Sequence, residues 1–134
     1  MRRDPGSRAG GPIAVLIASL AIAPALAQTV EDGSGAEIGA PDTTIVLDLI
    51  RRELDSPDAK VTVLRRSGRS HVCGSVNVKN RDGLYTGERG FVVDLETRRF
   101  GRVPDGPELL SPRSAGFAEK EAIRQSYFRL CLDG

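Results

Sequence analysis

The run Ser70-His-Val-Cys-Gly-Ser-Val-Asn-Val-Lys79 sets the tightest limit on what this chain can fold into. Its character changes with a period of two, the period of an extended strand. Val72, Gly74, Val76 and Val78 therefore share one face, and His71, Cys73, Ser75, Asn77 and Lys79 share the other. A strand with a valine face needs neighbours, and the flanking sequence supplies them. Lys60-Val-Thr-Val-Leu-Arg-Arg66 is rich in β-branched residues, and Ser67-Gly68-Arg69-Ser70 reads as a hairpin turn. Asn80-Arg-Asp-Gly83 is a second turn, followed by Leu84-Tyr-Thr-Gly87. Gly90-Phe-Val-Val-Asp-Leu95 is a third main strand that turns at Glu96-Thr97-Arg98 and returns as Arg99–Val103.

Helices bracket these strands. Over about 43–55, Val46, Ile50 and Leu54 recur every four residues with Ile45 and Leu49 beside them, which makes a wide apolar stripe. Asp42 and Thr43 offer oxygens to cap the first turn. Pro57 stops the helix, because the residue before a proline is pushed out of the helical region. A loop follows the strands over 104–113, with three prolines and a glycine. A second helix covers about 117–131, where Ile123 and Tyr127 lead in steps of four to Cys131. The expectation is one α+β domain over residues 42–134: a small antiparallel sheet of three to four strands with an N-terminal and a C-terminal helix.

The first 27 residues have the layout of a cleavable signal peptide. Arg2, Arg3 and Arg8 precede the apolar run Ile13–Ala23, Pro24 breaks it, and Ala25-Leu26-Ala27 puts small residues before a cut at Gln28. The run is shorter than the roughly 20 apolar residues a membrane span requires, so no stable span remains after cleavage. Residues 28–41, rich in glycine and charge with no sustained period, read as a flexible linker. Removing the leader leaves 16 basic and 17 acidic side chains, a balance that argues against a nucleic-acid binder. Residues 43–104 are locally basic, with 12 Lys or Arg against 8 Asp or Glu, half of the twelve in the pairs Arg51-Arg52, Arg65-Arg66 and Arg98-Arg99. Solvated surface is the simplest account of such pairs. Two cysteines exported to an oxidising compartment, periplasmic or secreted, read as a disulfide between Cys73 and Cys131. Closing that loop stabilises a domain by about 4 kcal/mol, which matters in a small chain with no tryptophan.

The order Cys73-Gly74-x-Val76-Asn77-x-Lys79-Asn80-x-x-Gly83-x-Tyr85-Thr86-Gly87, preceded by Ser56-Pro57-Asp58-Ala59, resembles a motif of small exported bacterial proteins of unknown function. The resemblance covers roughly 43–95 and implies a fold and an envelope setting. It supplies no activity. That family's pattern has a second glycine before the tyrosine, where this chain has Leu84.

Asn77, Lys79, Asn80 and Tyr85 are the candidate ligand-binding residues: two amides, a positive charge and an aromatic face with a hydroxyl, a set suited to a carboxylate or a sugar. The competing reading is turn architecture, since asparagine readily bonds local backbone. His71 and Cys73 share a strand face, but Cys131 gives Cys73 a better use than catalysis, and no paired-ligand spacing supports a metal. No phosphate-cradling loop, nucleophile elbow or haem-attachment motif is present in the sequence, and no cofactor is expected. The leading expectation is a soluble periplasmic interaction or ligand-binding module without catalytic activity, its partner an envelope protein or small ligand. A small envelope hydrolase and a structural subunit of an envelope assembly are the alternatives.

Overall fold

The computed structural model describes residues 30–133, so the signal-peptide reading of residues 1–27 lies outside the described residues. The chain runs through a single turn α1 (Gly35–Ile38), helix α2 (Ala40–Leu54), strands β1 (Lys60–Ser67), β2 (His71–Lys79), β3 (Tyr85–Asp94) and β4 (Arg99–Arg102), and helix α3 (Phe117–Tyr127). A π-helical turn over Phe128–Leu132 extends α3. The four strands form one antiparallel sheet in the order β1-β2-β3-β4. This is the α+β arrangement that the alternation and the hairpin glycines predict.

Helix α2 starts three residues earlier than the stripe suggests. Pro41 occupies its first turn, where the missing N–H would have had no intrahelical partner anyway. Asp42 and Thr43 do not cap it. Thr43 lies inside the helix, and its hydroxyl donates to the carbonyls of Gly39 at 2.7 Å and Gly35 at 3.0 Å. Helix α2 ends at Asp55, which turns left-handed at φ 45° two residues before Pro57.

Val46, Leu49 and Ile50 bury the apolar stripe of α2 against the valine face of the sheet. There they meet Val61, Leu64, Val72, Val76, Phe91 and Val93. Gly74 belongs to this face for a steric reason: a Cβ there would lie 2.6 Å from the Phe91 ring and 2.8 Å from Leu64. The missing side chain is the space that Phe91 fills.

The described part of the segment read as a linker is packed on the sheet edge instead. Val30 forms a parallel bridge with Val61, and Ile38 is buried in the α2 core. The cause lies in β1, whose register with β2 slips between Thr62 and Arg65. Val63 sits in the bulge at φ 56°, a conformation that costs a β-branched residue dearly. The bulge leaves two edge amides facing outward, and the N-terminal segment takes both. Val63 N–H donates to Asp32 Oδ2 and Leu64 N–H to Ser34 Oγ, each at 2.8 Å. Side chains thus close a strand edge that would otherwise be open to another chain.

Helix α3 covers the opposite face. Cys131 reaches Cys73 as a disulfide, with the Cα atoms 5.8 Å apart. Two glycines let the helix come close: a Cβ at Gly90 would lie 2.4 Å from the Tyr127 ring, and one at Gly101 would lie 3.0 Å from Ile123. Among the described residues no helix is long and apolar enough to cross a membrane.

Candidate functional site

The β2–β3 hairpin gathers the four residues singled out from the sequence, and the two asparagine oxygens and the tyrosine hydroxyl are occupied there. Asn80 Oδ1 accepts from Asp82 N–H at 2.9 Å and Leu84 N–H at 3.0 Å, while Asn77 Oδ1 accepts from Gly87 N–H at 3.0 Å. Both side chains therefore replace backbone acceptors in the turn. Gly83 closes it at φ 77°; Leu84 has no positive φ, so the missing second glycine leaves no strain. Tyr85 donates its hydroxyl to the Asp58 carbonyl at 3.1 Å. Two ammonium groups lie over its ring, Lys60 Nζ at 4.3 Å and Lys79 Nζ at 5.4 Å from the centroid. Lys79 also sits 3.9 Å from Asp58 Oδ2. What these residues visibly do is fix the hairpin and tie it to the Asp58 turn.

A different region offers room. Between α3 and the β3–β4 end of the sheet lies a cleft of about 580 Å³. One wall is a row across three strands: His71 pairs with Asp94, and Asp94 with Arg99, so all three side chains point to the α3 side. Arg98 extends this wall from the turn. The other wall is the flank of α3 and its π turn, with Glu119, Ala122, Ser126 and Arg129. Val92, Gly101, Ile123 and Leu130 line the space between, and Glu53 of α2 reaches one rim.

Local chemistry shapes the first wall. Asp94 Oδ1 accepts from Glu96 N–H at 2.9 Å and Thr97 N–H at 3.2 Å, which folds the β3–β4 turn. The Thr97 amide, then the Glu96 amide, with a smaller contribution from His71, holds the Asp94 carboxyl below its ordinary range against the opposing effect of desolvation. Its other oxygen lies 3.6 Å from His71 Nε2. Arg98 closes the same turn at φ 57°, a left-handed position that glycine adopts at less cost.

Outside the cleft the guanidinium groups of Arg51, Arg66, Arg89 and Arg124 are paired with carboxylates, while those of Arg52, Arg65, Arg69, Arg81, Arg102 and Arg113 have none within 4.0 Å among the described residues. Arg98, Arg99 and Arg129 in the cleft have no opposite charge within 4.0 Å among the described residues. Neither do Glu53 and Glu119. The cleft thus carries unpaired charges of both signs above an apolar floor.

Sequence reasoning missed this cleft. The Arg98-Arg99 pair read as solvated surface, and nothing in its spacing tells that a helix fifteen or more positions later will face it. The available signals were Gly90 and Gly101 on the cysteine face, which mark where another element comes close.

Three enzyme chemistries can be set against the geometry. The disulfide leaves no free thiol at Cys73 or Cys131. Among the described residues no group of three or more His, Cys, Asp or Glu side chains is placed to hold a metal ion. Ser70 Oγ lies 3.4 Å from His71 Nδ1, opposite the Asp94 contact, so a serine, a histidine and a carboxylate do stand in a line. Both separations exceed the roughly 2.6–3.2 Å of a proton-transferring bond.

The fold and cleft together define a class: a three-layer α+β domain whose second helix is fastened to the sheet by a cystine. Compared with known proteins, no family model matches the chain, and no curated protein or solved structure matches it significantly.

Proposed function

We propose that this chain is an exported envelope protein whose mature domain binds a small ligand in the α3 cleft and performs no chemistry on it. One observation carries the reading: three guanidiniums and two carboxylates line one cavity without neutralising one another. Charges left apart on a surface are ordinary. Charges left apart around a cavity with an apolar floor are what a polar ligand completes. Export is supported by the leader pattern in residues 1–27, by the motif's resemblance to exported bacterial proteins, and by a cystine, which persists in oxidising compartments.

The binding reading is tested by adding fractionated envelope extract to isotope-labelled mature protein and following its amide resonances. Shifts confined to 92–101 and 119–130 are expected. Shifts confined to 77–87 would move the site to the hairpin and overturn the cleft assignment. Export is tested by the mass of the protein recovered from the periplasm. A product that starts at Gln28 and gains two hydrogens on reduction is expected; an intact Met1 with two free thiols contradicts it.

The Ser70–His71–Asp94 line supports a second reading, a small hydrolase. It predicts covalent labelling of Ser70 by a fluorophosphonate, abolished in His71→Ala. An unlabelled protein removes that reading and leaves the binding module.

A further inference from the structure

The contacts of α3 fix its direction across the sheet. Ile123 lies on Gly101 of β4, Tyr127 on Gly90 of β3, and Cys131 on Cys73 of β2. The helix therefore crosses the strands from β4 toward β2, alongside the row Arg99, Asp94, His71. The cleft between them is a slot. Its strand wall spans three strands, about 10 Å at the usual inter-strand spacing. Its helical wall, from Glu119 to Arg129, spans about 15 Å at 1.5 Å per residue.

The charges are distributed along this slot by sign. At the β4 end Glu119 comes from the helix, and Arg98 and Arg99 come from the strands. Toward the β2 end Arg129 comes from the helix and His71 from β2, with Asp94 of the middle strand β3 already held by His71 and by the turn amides. The helical wall itself changes sign along the slot, from Glu119 at the β4 end to Arg129 at the β2 end. Arg98, Arg99, Arg129 and Glu119 have no opposite charge within 4.0 Å among the described residues. A simple anion in the slot would meet Glu119 and Asp94, and a simple cation would meet the arginines. A dipolar ligand with an ammonium at one end and a carboxylate at the other meets an opposite charge at both. Its carboxylate suits the planar fork of an arginine. Between the ends, Ser126 offers a hydroxyl, and Val92 and Ile123 offer apolar surface.

We propose that this slot binds a short zwitterionic peptide of about three extended residues, whose length at ~3.3 Å per residue matches the strand wall, and that its free termini are the recognised groups. This rests on the cleft being the binding site.

The test uses trialanine, its N-acetyl form, its C-terminal amide, and succinate as a purely anionic control, each titrated into the disulfide-bonded mature protein. Calorimetry gives affinity, and amide shifts give location. Trialanine is expected to shift resonances in 92–101 and 119–130. Blocking either terminus is expected to weaken binding by about ten-fold or more, the size of one charge-assisted contact. Arg129→Ala and Glu119→Gln should each weaken it similarly with an unchanged thermal midpoint, since both side chains are exposed and unpaired. Equal binding of the blocked and free peptides overturns the proposal. So does succinate shifting the cleft while trialanine does not, an outcome that leaves the cleft as a binding site. If neither probe nor envelope extract perturbs the cleft, both readings fail.

Discussion

The two faces of the sheet are covered by helices held in different ways. Helix α2 buries Val46, Leu49 and Ile50 almost completely in a continuous apolar core. Helix α3 has no buried residue of its own; only Cys131, in the π turn beyond it, is buried. Its cluster is Cys73, Val92 and Cys131, with Tyr127 and Leu130 at the margin. One face is held by the hydrophobic effect spread over many side chains. The other is held by a covalent bond and by two glycines that let a helix lie close. The difference matters because the charged cleft lies on the second face, whose geometry depends on where α3 is fastened. Regions with few buried apolar contacts are those that open first.

Four changes break or sharpen this contrast. The largest effect is expected from Phe91→Ala in the α2 core, where losing the ring stacked over Gly74 costs about 3–5 kcal/mol in denaturant unfolding. A loss below about 1 kcal/mol would mean that this core is not what holds the sheet. Cys73→Ser with Cys131→Ser comes next, at about 2–5 kcal/mol. Here the loss should fall on α3, with the near-ultraviolet signal of Tyr127 changing before the strand content does.

The third test places the glycines against each other. Gly74→Ala and Gly90→Ala both force a side chain into occupied space, at about 1–3 kcal/mol each. The Gly74 penalty should persist under reducing conditions, because Phe91 and Leu64 are walled in by the core. The Gly90 penalty should shrink, because Tyr127 can leave with an untethered helix. Equal penalties in both redox states would contradict the contrast, as a double-mutant cycle would reveal.

The smallest effect concerns acid. Asp94 has its carboxyl depressed by the Thr97 and Glu96 amides. Its contribution to folding is complete above the ordinary aspartate range, near 3.8, and is lost as pH falls through the depressed value. Asp94→Asn keeps the acceptor for those amides and removes the charge. Its thermal midpoint should change less than that of the wild type over the acid range below about pH 4, without altering the α2 core. A wild-type acid profile unchanged by the substitution would take Asp94 out of the account.

Much of the fold was legible because it rests on repetition. The stripe Val46, Ile50, Leu54, the alternation through Val72, Val76 and Val78, and the steps Ile123, Tyr127, Cys131 each repeat one period several times. The cysteine pair was legible because the chain has only two cysteines. The N-terminal strap was not, because it contributes single residues: Val30 to a bridge, Asp32 and Ser34 to two amides, Ile38 to the core. No period marks such a segment, and its glycines suggest a linker. The bulge it seals was equally hidden, since Val63 looks like any strand valine until its φ is known. At the hairpin, Asn77 and Asn80, read from the sequence as candidate ligand-binding residues, have their oxygens building the turn. The cleft escaped notice because it needs the crossing direction of α3, a tertiary fact that one helix's sequence does not contain.

The most direct test of the central claim is amide hydrogen exchange of the disulfide-bonded protein with and without reductant. Breaking the Cys73–Cys131 bond should strip protection from α3 and its π turn while β2 amides at 72–76 and β3 amides at 91–93 stay protected. Simultaneous loss of protection on both faces, or an α3 that stays protected once reduced, would contradict the claim that one face is held by burial and the other by a bond.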